Sequence, residues 1–397
     1  MELKEYAISD IASLKYGKML AKTKFTDKGH PVFSGYRVTG YTSEYLYENP
    51  EVIVVARGVG GTGDVKISPP KSWITNLSIV LSVDTKLVDK FYFKELLHAE
   101  KLKSKLDSGA SISQITINSL ESYKVKLPDL SFQKSVREVL IKYDNLIENN
   151  NRRIAILENM AQSLYREWFV NFRYANHQDN LDADGNPKLI DSPLGQIPEG
   201  WQIVALEELC NKITDGSHKS PKSVDVGVPM ASVKDMHDFG INVSKCRQIS
   251  YEDYEDLKRQ DSVVKANDIL VAKDGSYLKH TFVVEKELEM ALLSSIAIIR
   301  PNEKVKPHWL AYCLRSPLVK ERMKNYVSGA AIPRIILKDF RKFNLFIPPQ
   351  ELMDEWNSIV EGMVKQCWNL VSRNENLKQQ RDMLLPKLIS GQIELKD

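Results

Sequence analysis

The chain has 397 residues, 43% of them hydrophobic and 27% charged, which lets it bury a core in each of two or three domains and excludes the disordered class. A formal charge of +3 and a pI near 8.4 permit nucleic-acid contact through local patches without demanding it. Cys210, Cys246, Cys313 and Cys367 form no C-x-x-C pair that would suggest zinc or a redox site. With no signal-like start and no bilayer-length apolar run, the expectation is a soluble, cytoplasmic protein.

In chain order, Lys15, Lys18, Lys22, Lys24 and Lys28 come first, crowded beside Tyr16 and Phe25. Basic loops with nearby aromatics suit positioning on a DNA backbone, although a charge run is more often only a solvated face. β-type runs follow at Val52 to Ala56 and Ile79 to Val83, then a helical stretch from Lys90 to Leu106 that carries a second cluster, Lys101, Lys103 and Lys105. Between the strands, Gly58-Val59-Gly60-Gly61-Thr62-Gly63 satisfies G-x-G-x-x-G literally. A dinucleotide fingerprint needs a helix opening within the glycines, whereas Asp64-Val65-Lys66-Ile67 runs into Pro69-Pro70, so a turn without a cofactor is predicted. Arg57, on the shoulder of that turn, is a candidate for reaching a phosphate or a base edge; a solvated turn cation is the alternative.

Past Ser108-Gly109-Ala110, apolar residues alternate at spacings of four and three: Val136, Leu140, Tyr143, Ile147, Asn150, Ile154, Leu157, Ala161, Leu164 and Trp168. This is a heptad seam on one long helix, roughly 50 Å at about 1.5 Å per residue, and so a ruler. Residues 174–198, rich in Asn, Asp, Gly and Pro, read as a linker.

The second half repeats the first. Ser328-Gly329-Ala330 opens an echo at an offset of 220 residues, in which Ile112, Ile115, Pro128, Arg153, Leu157 and Leu164 meet Ile332, Ile335, Pro348, Arg373, Leu377 and Leu384. The seam returns as Trp356, Val360, Met363, Cys367, Leu370, Asn374, Leu377, Arg381, Leu384 and Leu388. Two matching helices most simply pack on each other; the bland alternative is a pair of ordinary core helices. In the repeat alignment Asn150 corresponds to Leu370 and Asn374 to Ile154, so the polar seam residues are offset and could fix register.

Ahead of the second helix, β-type runs at Ile269 to Ala272, Thr281 to Val284 and Ser295 to Ile299 and a helical stretch from His308 to Val327 reproduce the earlier order. Here the offset drifts: Gly58 and Ser78 meet Gly275 and Ser295 at 217, and Gly29 and Pro31 meet Gly227 and Pro229 at 198. Drift of this kind places the differences in loops. The basic candidates of this half are Lys212, His218, Lys219 and Lys222, with Lys245 and Arg247 further on and Lys273 as the counterpart of Arg57.

No G-x-x-x-x-G-K-[ST] loop, H-E-x-x-H helix, G-x-S-x-G elbow or Asn/Asp-Pro-Pro-aromatic element is present, and nothing points to catalysis or a metal.

Pro193-Leu194-Gly195-Gln196-Ile197-Pro198-Glu199-Gly200-Trp201, followed by Val204-Ala205-Leu206-Glu207-Glu208-Leu209, resembles the start of a target-recognition domain in specificity subunits of type I restriction-modification systems. Leu164-Tyr165-Arg166-Glu167-Trp168-Phe169 is similar to that family's central conserved region, and Leu384-Leu385-Pro386-Lys387-Leu388-Ile389-Ser390-Gly391-Gln392-Ile393 to its C-terminal one. The first half lacks the Pro-x-Gly-Trp element. The resemblance implies an α+β fold: two similar mixed α/β target-recognition domains, separated by two long helices forming an antiparallel coiled coil, with a pseudo-twofold internal repeat. The boundaries on this reading are recognition domains at 1–130 and 199–349, spacer helices at 131–173 and 350–392, and the linker at 174–198. It further implies a non-catalytic reader of a bipartite, asymmetric double-stranded DNA target. Two methyltransferase (M) subunits would carry S-adenosylmethionine, and restriction (R) subunits would use ATP with Mg. Trp168, Phe169 and Leu388 are the expected partner-docking residues. A protein-binding repeat scaffold and an enzyme with unrecognised motifs are the alternatives, separated from this reading by salt-dependent, sequence-specific DNA binding and by activity of the chain alone.

Overall fold

The computed structural model describes residues 2–35, 37–58, 61–107, 113–259, 263–275, 279–328 and 333–393. Ser108-Gly109-Ala110, Ile112, Gly329-Ala330, Ile332, Val59, Gly60 and Ser276 lie outside the described residues. The chain divides into two compact units, Met1–Glu148 with Glu375–Asp397, and Asn149–Asn374, so the division passes through both long helices.

The first unit contains β1 (Lys4–Ala7), α1 (Ile8–Ile11), β2 (Ala12–Tyr16), β3 (His30–Ser34), β4 (Arg37–Thr42), β5 (Val52–Val55), β6 (Val65–Ile67), β7 (Trp73–Ile74) and β8 (Ser78–Val83). These are followed by α2 (Lys90–Ala99), α3 (Leu102–Leu106), α4 (Ile117–Glu121), β9 (Lys124–Leu127) and the start of α5 (Leu130–Phe169). An antiparallel sheet has the order β2-β8-β5-β6, and a second has the order β4-β3-β7, antiparallel at β3–β4 and parallel at β3–β7. The two-residue period of a strand turns Val52, Val54, Ile79 and Leu81 onto Tyr92, Phe93, Leu96 and Leu97 of α2, while Ile53 and Val80 face Phe33 and Ile74 of the other sheet. The predicted helix over Lys90 to Leu106 is two helices, broken where Lys101 adopts φ +49°.

The glycine turn after β5 leads directly into β6, with no helix opening at Gly63. Thr62 Oγ1 donates to the carbonyls of Gly58 and Ser113, both at 3.2 Å, and a Cβ on Gly63 would stand 2.7 Å from Lys103 N. That glycine serves a close backbone approach to α3.

The second unit continues from α5 with β10 (Leu189–Ile190), β11 (Ile197–Pro198), β12 (Gln202–Ala205), β13 (Cys210–Asp215), β14 (Val228–Ala231), β15 (Met236–His237), β16 (Gly240–Ile241) and β17 (Arg247–Ile249). Then come α6 (Tyr251–Arg259), β18 (Ile269–Ala272), β19 (Thr281–Val283), β20 (Ala291–Leu292), β21 (Ile296–Pro301), α7 (Pro307–Arg315), α8 (Pro317–Met323), β22 (Val327–Ser328), β23 (Arg334–Ile335), α9 (Leu337–Arg341), β24 (Asn344–Ile347) and α10 (Gln350–Ile389). Its sheets, β13-β21-β18-β19 and β17-β14-β20, repeat those of the first unit strand for strand, down to the parallel pairing of β14 with β20. β12 pairs with β24 as β1 pairs with β9. The differences are insertions, chiefly α6 between β17 and β18, where the first unit has no helix over residues 43–51. The linker segment carries a short β10–β11 pairing, and Phe172 stacks edge-on against Trp201 at 5.3 Å.

α5 and α10 have 40 residues each. In the second unit Ile154, Leu157, Cys367 and Leu370 pack together with Phe239, while Tyr165 meets Trp356 at 5.8 Å, so one helix ascends as the other descends. Asn150 Nδ2 donates to Asn374 Oδ1 at 2.8 Å, and Asn374 Nδ2 to Asn151 Oδ1 at 2.9 Å; Asn150 and Asn374 are buried. The two seam asparagines, offset in the repeat alignment, are thus partners in the antiparallel crossing. In the first unit Arg381 Nη1 reaches Asp144 Oδ1 at 2.6 Å.

The apolar stripe changes partner along its length. Val136 and Leu140 share the first unit's core with Val125, Leu127, Leu384 and Leu388, whereas Leu164, Val360 and Met363 pack into the second unit's. Ile147 and Leu377 are half-buried. Asn150→Leu would strip Asn374 of one buried partner, and the expected cost is roughly 1–3 kcal/mol in a denaturant titration; no loss would mean the pair is irrelevant to stability.

Candidate nucleic-acid interface

In the first unit, the register sets Tyr16 beside Ile79 and Ile79 beside Val54, so the chain leaving β2 and the shoulder after β5 emerge at the same end of the sheet. Neighbouring strands are about 4.8 Å apart, which puts Lys18 and Arg57 on segments roughly 10 Å from each other. A Cβ on Gly17 would stand 2.3 Å from the Ile74 carbonyl. That close approach lets Lys18 N donate to Ile74 O at 2.9 Å and Trp73 Nε1 to Lys18 O at 2.8 Å, pinning the backbone beneath an exposed ammonium.

Lys15, Lys18, Lys22 and Arg57 are exposed, and Lys24 pairs with Glu44 at 3.2 Å in solvent. Met19, 80% exposed, and Tyr16, Phe25, Tyr41 and Tyr45, each near 40%, stand among them. Sequence reasoning passed over Met19, Tyr41 and Tyr45 because apolar exposure has no signature in composition.

The second unit builds the same end differently. Ser217 N donates to Leu292 O at 2.7 Å, and a Cβ on Gly216 would stand 2.4 Å from that oxygen, matching Lys18 and Gly17. His218, Lys219 and Lys222 are exposed on the following loop, which Arg247 holds by donating to Pro221 O and Ser220 Oγ. His218 Nε2 lies 3.2 Å from Asp215. Lys212 is half-buried near the start of β13, where it pairs in register with Arg300, three residues back from that loop end.

Lys273 is not the counterpart of Arg57. Ile115 N donates to Ala56 O as Ile335 N does to Lys273 O, and the isolated bridges Arg57–Gln114 and Asp274–Arg334 correspond. Lys273 therefore matches buried Ala56, one residue off, and a one-residue slip on a strand reverses the side chain's face. Its side chain is only 7% exposed, and its ammonium pairs with Asp215 at 2.7 Å. The exposed cation at this place is Arg334, 3.1 Å from Asp274, which the 220-residue offset aligns with Gln114.

The expected docking residues are also placed otherwise. Trp168 and Phe169 are buried in the second unit, with Phe169 edge-on to Trp309 at 5.8 Å and Trp356 at 5.7 Å, and Leu388 is buried in the first unit's core. Large apolar side chains on the inward stripe of a helix are consumed by their own domain before a partner arrives.

The chain matches the family described as "Type I restriction modification DNA specificity domain" over residues 1–159 and 198–362. It belongs to that family. Among relatives, the MjaIX specificity subunit of Methanocaldococcus jannaschii is 25% identical over 310 residues, covering 77% of this chain and 69% of the relative. The HindI specificity subunit of Haemophilus influenzae is 21% identical over 333 residues, covering 72% of each. In fold the chain is similar to a solved type I restriction-modification S subunit from M. genitalium, with TM-score 0.63 and 17% identity over 100% of this chain and 97% of that one. The specificity-domain assignment accords with a duplicated scaffold whose loops differ.

Titratable groups inside this specificity domain serve packing. Burial raises the thiols of Cys210 and Cys246 to about 12 and those of Cys313 and Cys367 to about 11, and all four are free. Glu285 Oε1 and His308 Nε2 lie 3.3 Å apart beneath Glu361 and Lys365 of α10. Burial outweighs the lowering by Lys365 and lifts the Glu285 carboxyl to about 7, and burial drops His308 to about 4, so the contact is between neutral groups near pH 6.

The raised carboxyl holds its proton in the folded state between pH 4.5 and about 7, where the unfolded chain has released it, so its contribution is lost as pH rises through that window. His308 acts oppositely, losing stability as pH falls from 6.5 towards 4. Melting Glu285→Gln against the parent should show the variant gaining relative stability from pH 5 to pH 8; a constant difference would contradict the buried neutral carboxyl. Lys273→Met should destabilise by roughly 1–3 kcal/mol, since it removes the buried ammonium and leaves Asp215 with the exposed His218 as its charged partner. It should leave the salt dependence of DNA binding unchanged, and a flatter dependence would return Lys273 to the interface.

Proposed function

We propose that this chain is the sequence-reading subunit of a type I restriction-modification complex, each half reading one part of a bipartite, asymmetric double-stranded DNA target. The observation that carries the reading is one strand topology built twice, with unlike loops leaving the same end of each four-stranded sheet. A duplicated scaffold with identical loops would suit a palindrome; loops bearing Lys18, Lys22 and Arg57 in one unit and His218, Lys219, Lys222 and Arg334 in the other suit two unrelated half-sites. Phosphate contacts from the exposed cations would fix position, and the interleaved aromatics and Met19 would meet base edges.

The long helices set the number of unread base pairs and dock two methyltransferase (M) subunits. Since Trp168, Phe169 and Leu388 are internal, the surfaces offered are the outward apolar residues Leu146, Ile156 and Met160 of α5 and Ile359 and Met383 of α10, all more than 40% exposed. Methylation chemistry with S-adenosylmethionine is assigned to the M subunits, and ATP with Mg to the restriction (R) subunits; no catalytic step is assigned to this chain. The complex acts in the cytoplasm, and among the described residues no helix is long and apolar enough to cross a membrane.

Replacing residues 199–349 with the corresponding segment of a relative that reads another target should change one half of the methylated sequence and preserve the other; a change in both halves, or none, would refute the division of labour. Within the first unit, Lys18→Ala and Lys22→Ala should each lower the slope of log affinity against log salt by roughly 1, weakening binding alike on all sequences. Anisotropy titrations of the assembled complex from 50 to 200 mM salt check this, and an unchanged slope would remove these lysines from the backbone contact.

A further inference from the structure

The second unit holds a cavity of about 850 Å³ between the last three turns of α5 and the α7–α8 junction. Four cations line it, Arg166, Lys279, Arg315 and Lys320, against one carboxylate, Asp238. Both carboxylates nearby have hydrogen-bonding partners. Glu158 is bonded to Arg315 and accepts from Tyr312 OH at 2.8 Å, and Asp238 lies 2.9 Å from His280 Nδ1. Arg166, Lys279 and Lys320 are left with no ion pair among the described residues.

Lys320 shows the imbalance most sharply. Its ammonium is partly withdrawn from water, and burial followed by the like charge of Arg315 lowers its pKa against the smaller opposing pull of Asp238. A half-buried cation beside a second cation is costly unless an anion joins them. Asn159 and Ser163 add neutral hydrogen-bonding groups to the wall, and Val170 and Leu318 add an apolar side.

We propose that this cavity binds a phosphate group, presented by a small phosphorylated molecule or by a nucleic-acid backbone. Three cations against the one carboxylate of Asp238 leave a surplus of two positive charges, the charge of a phosphate dianion, with the Arg166 guanidinium supplying a fork and the lysines supplying point charges. Lys279 lies on the β18–β19 loop, which leaves the same end of the sheet as the proposed reading loops. The test below reads phosphate binding by the chain itself, so its failure is distinguishable from failure of the function proposed above.

The test uses the full chain and inorganic phosphate as the probe, with chloride at matched ionic strength as the blank. Phosphate should raise the Tm of the parent by roughly 2 °C or more at a tenfold excess over Kd. The rise should be lost in Lys320→Gln and kept in Lys304→Gln, an exposed lysine outside the cavity. Because the readout is the phosphate-dependent increment, any change in basal stability on relieving the Arg315 repulsion does not obscure it. Equal increments in the parent and Lys320→Gln would overturn the proposal, as would no increment in either.

Two further arms separate the sources. If Lys320→Gln flattens the salt dependence of binding to a non-specific DNA duplex, the phosphate belongs to a backbone. If duplex binding is unchanged while ATP or another nucleotide competes with inorganic phosphate, the ligand is a small phosphorylated molecule.

Discussion

Two buried side-chain amides set the register on which the rest depends. Asn150 donates to Asn374 across the antiparallel helices at 2.8 Å, in a seam otherwise lined by Ile154, Leu157, Cys367 and Leu370. Sliding either helix by one heptad would set Asn150 opposite Cys367 or Arg381 and Asn374 opposite Tyr143 or Leu157, separating the two amides, so apolar packing supplies attraction while the amides choose among registers. Asn151, accepting from Asn374 at 2.9 Å, extends the selection to a third side chain.

From that fixed crossing the helix stripes go on to serve other cores. The stripe that closes helix against helix at Ile154 packs against β-domain residues at Val136 and around an aromatic cluster at Tyr165, Phe169, Trp309 and Trp356. Each recognition domain is thereby fastened to its helix by side chains and not only by the chain. Gln133 and Arg137 reinforce this in the first unit, with Gln133 accepting from Asp89 N at 2.9 Å and Arg137 pairing with Asp89 at 2.7 Å. None of these contacts involves the loops that bear Lys18, Lys22, Arg57, His218, Lys219 and Lys222, so the fastening of domain to helix does not depend on the sequence of those loops.

Period made much of this legible in the sequence. The heptad spacing located both helices, and the central strands were visible as apolar runs because both their faces are covered. The three-stranded sheets were not visible, since β7 and β20 are two residues long and their parallel pairing to β3 and β14 is tertiary. Lys273 shows the limit at one residue: matched by loop position it resembled Arg57, but the ladder aligns it with Ala56 and turns it inward. Trp168 and Phe169 show another limit, because a motif marks residues under constraint without saying whether a partner or the core imposes it. Arg334 needed only the strict offset of the helix half carried back to Gln114.

The central claim is that the helices measure DNA while the loops read it. Its most direct measurement is the methylated sequence produced by the complex when one heptad is inserted into both α5 and α10 in register. Seven residues lengthen a helix by roughly 10 Å, about three base pairs. The account predicts both half-sites unchanged and the unread spacer longer by about three base pairs; an unchanged spacer, or altered half-sites, would contradict it.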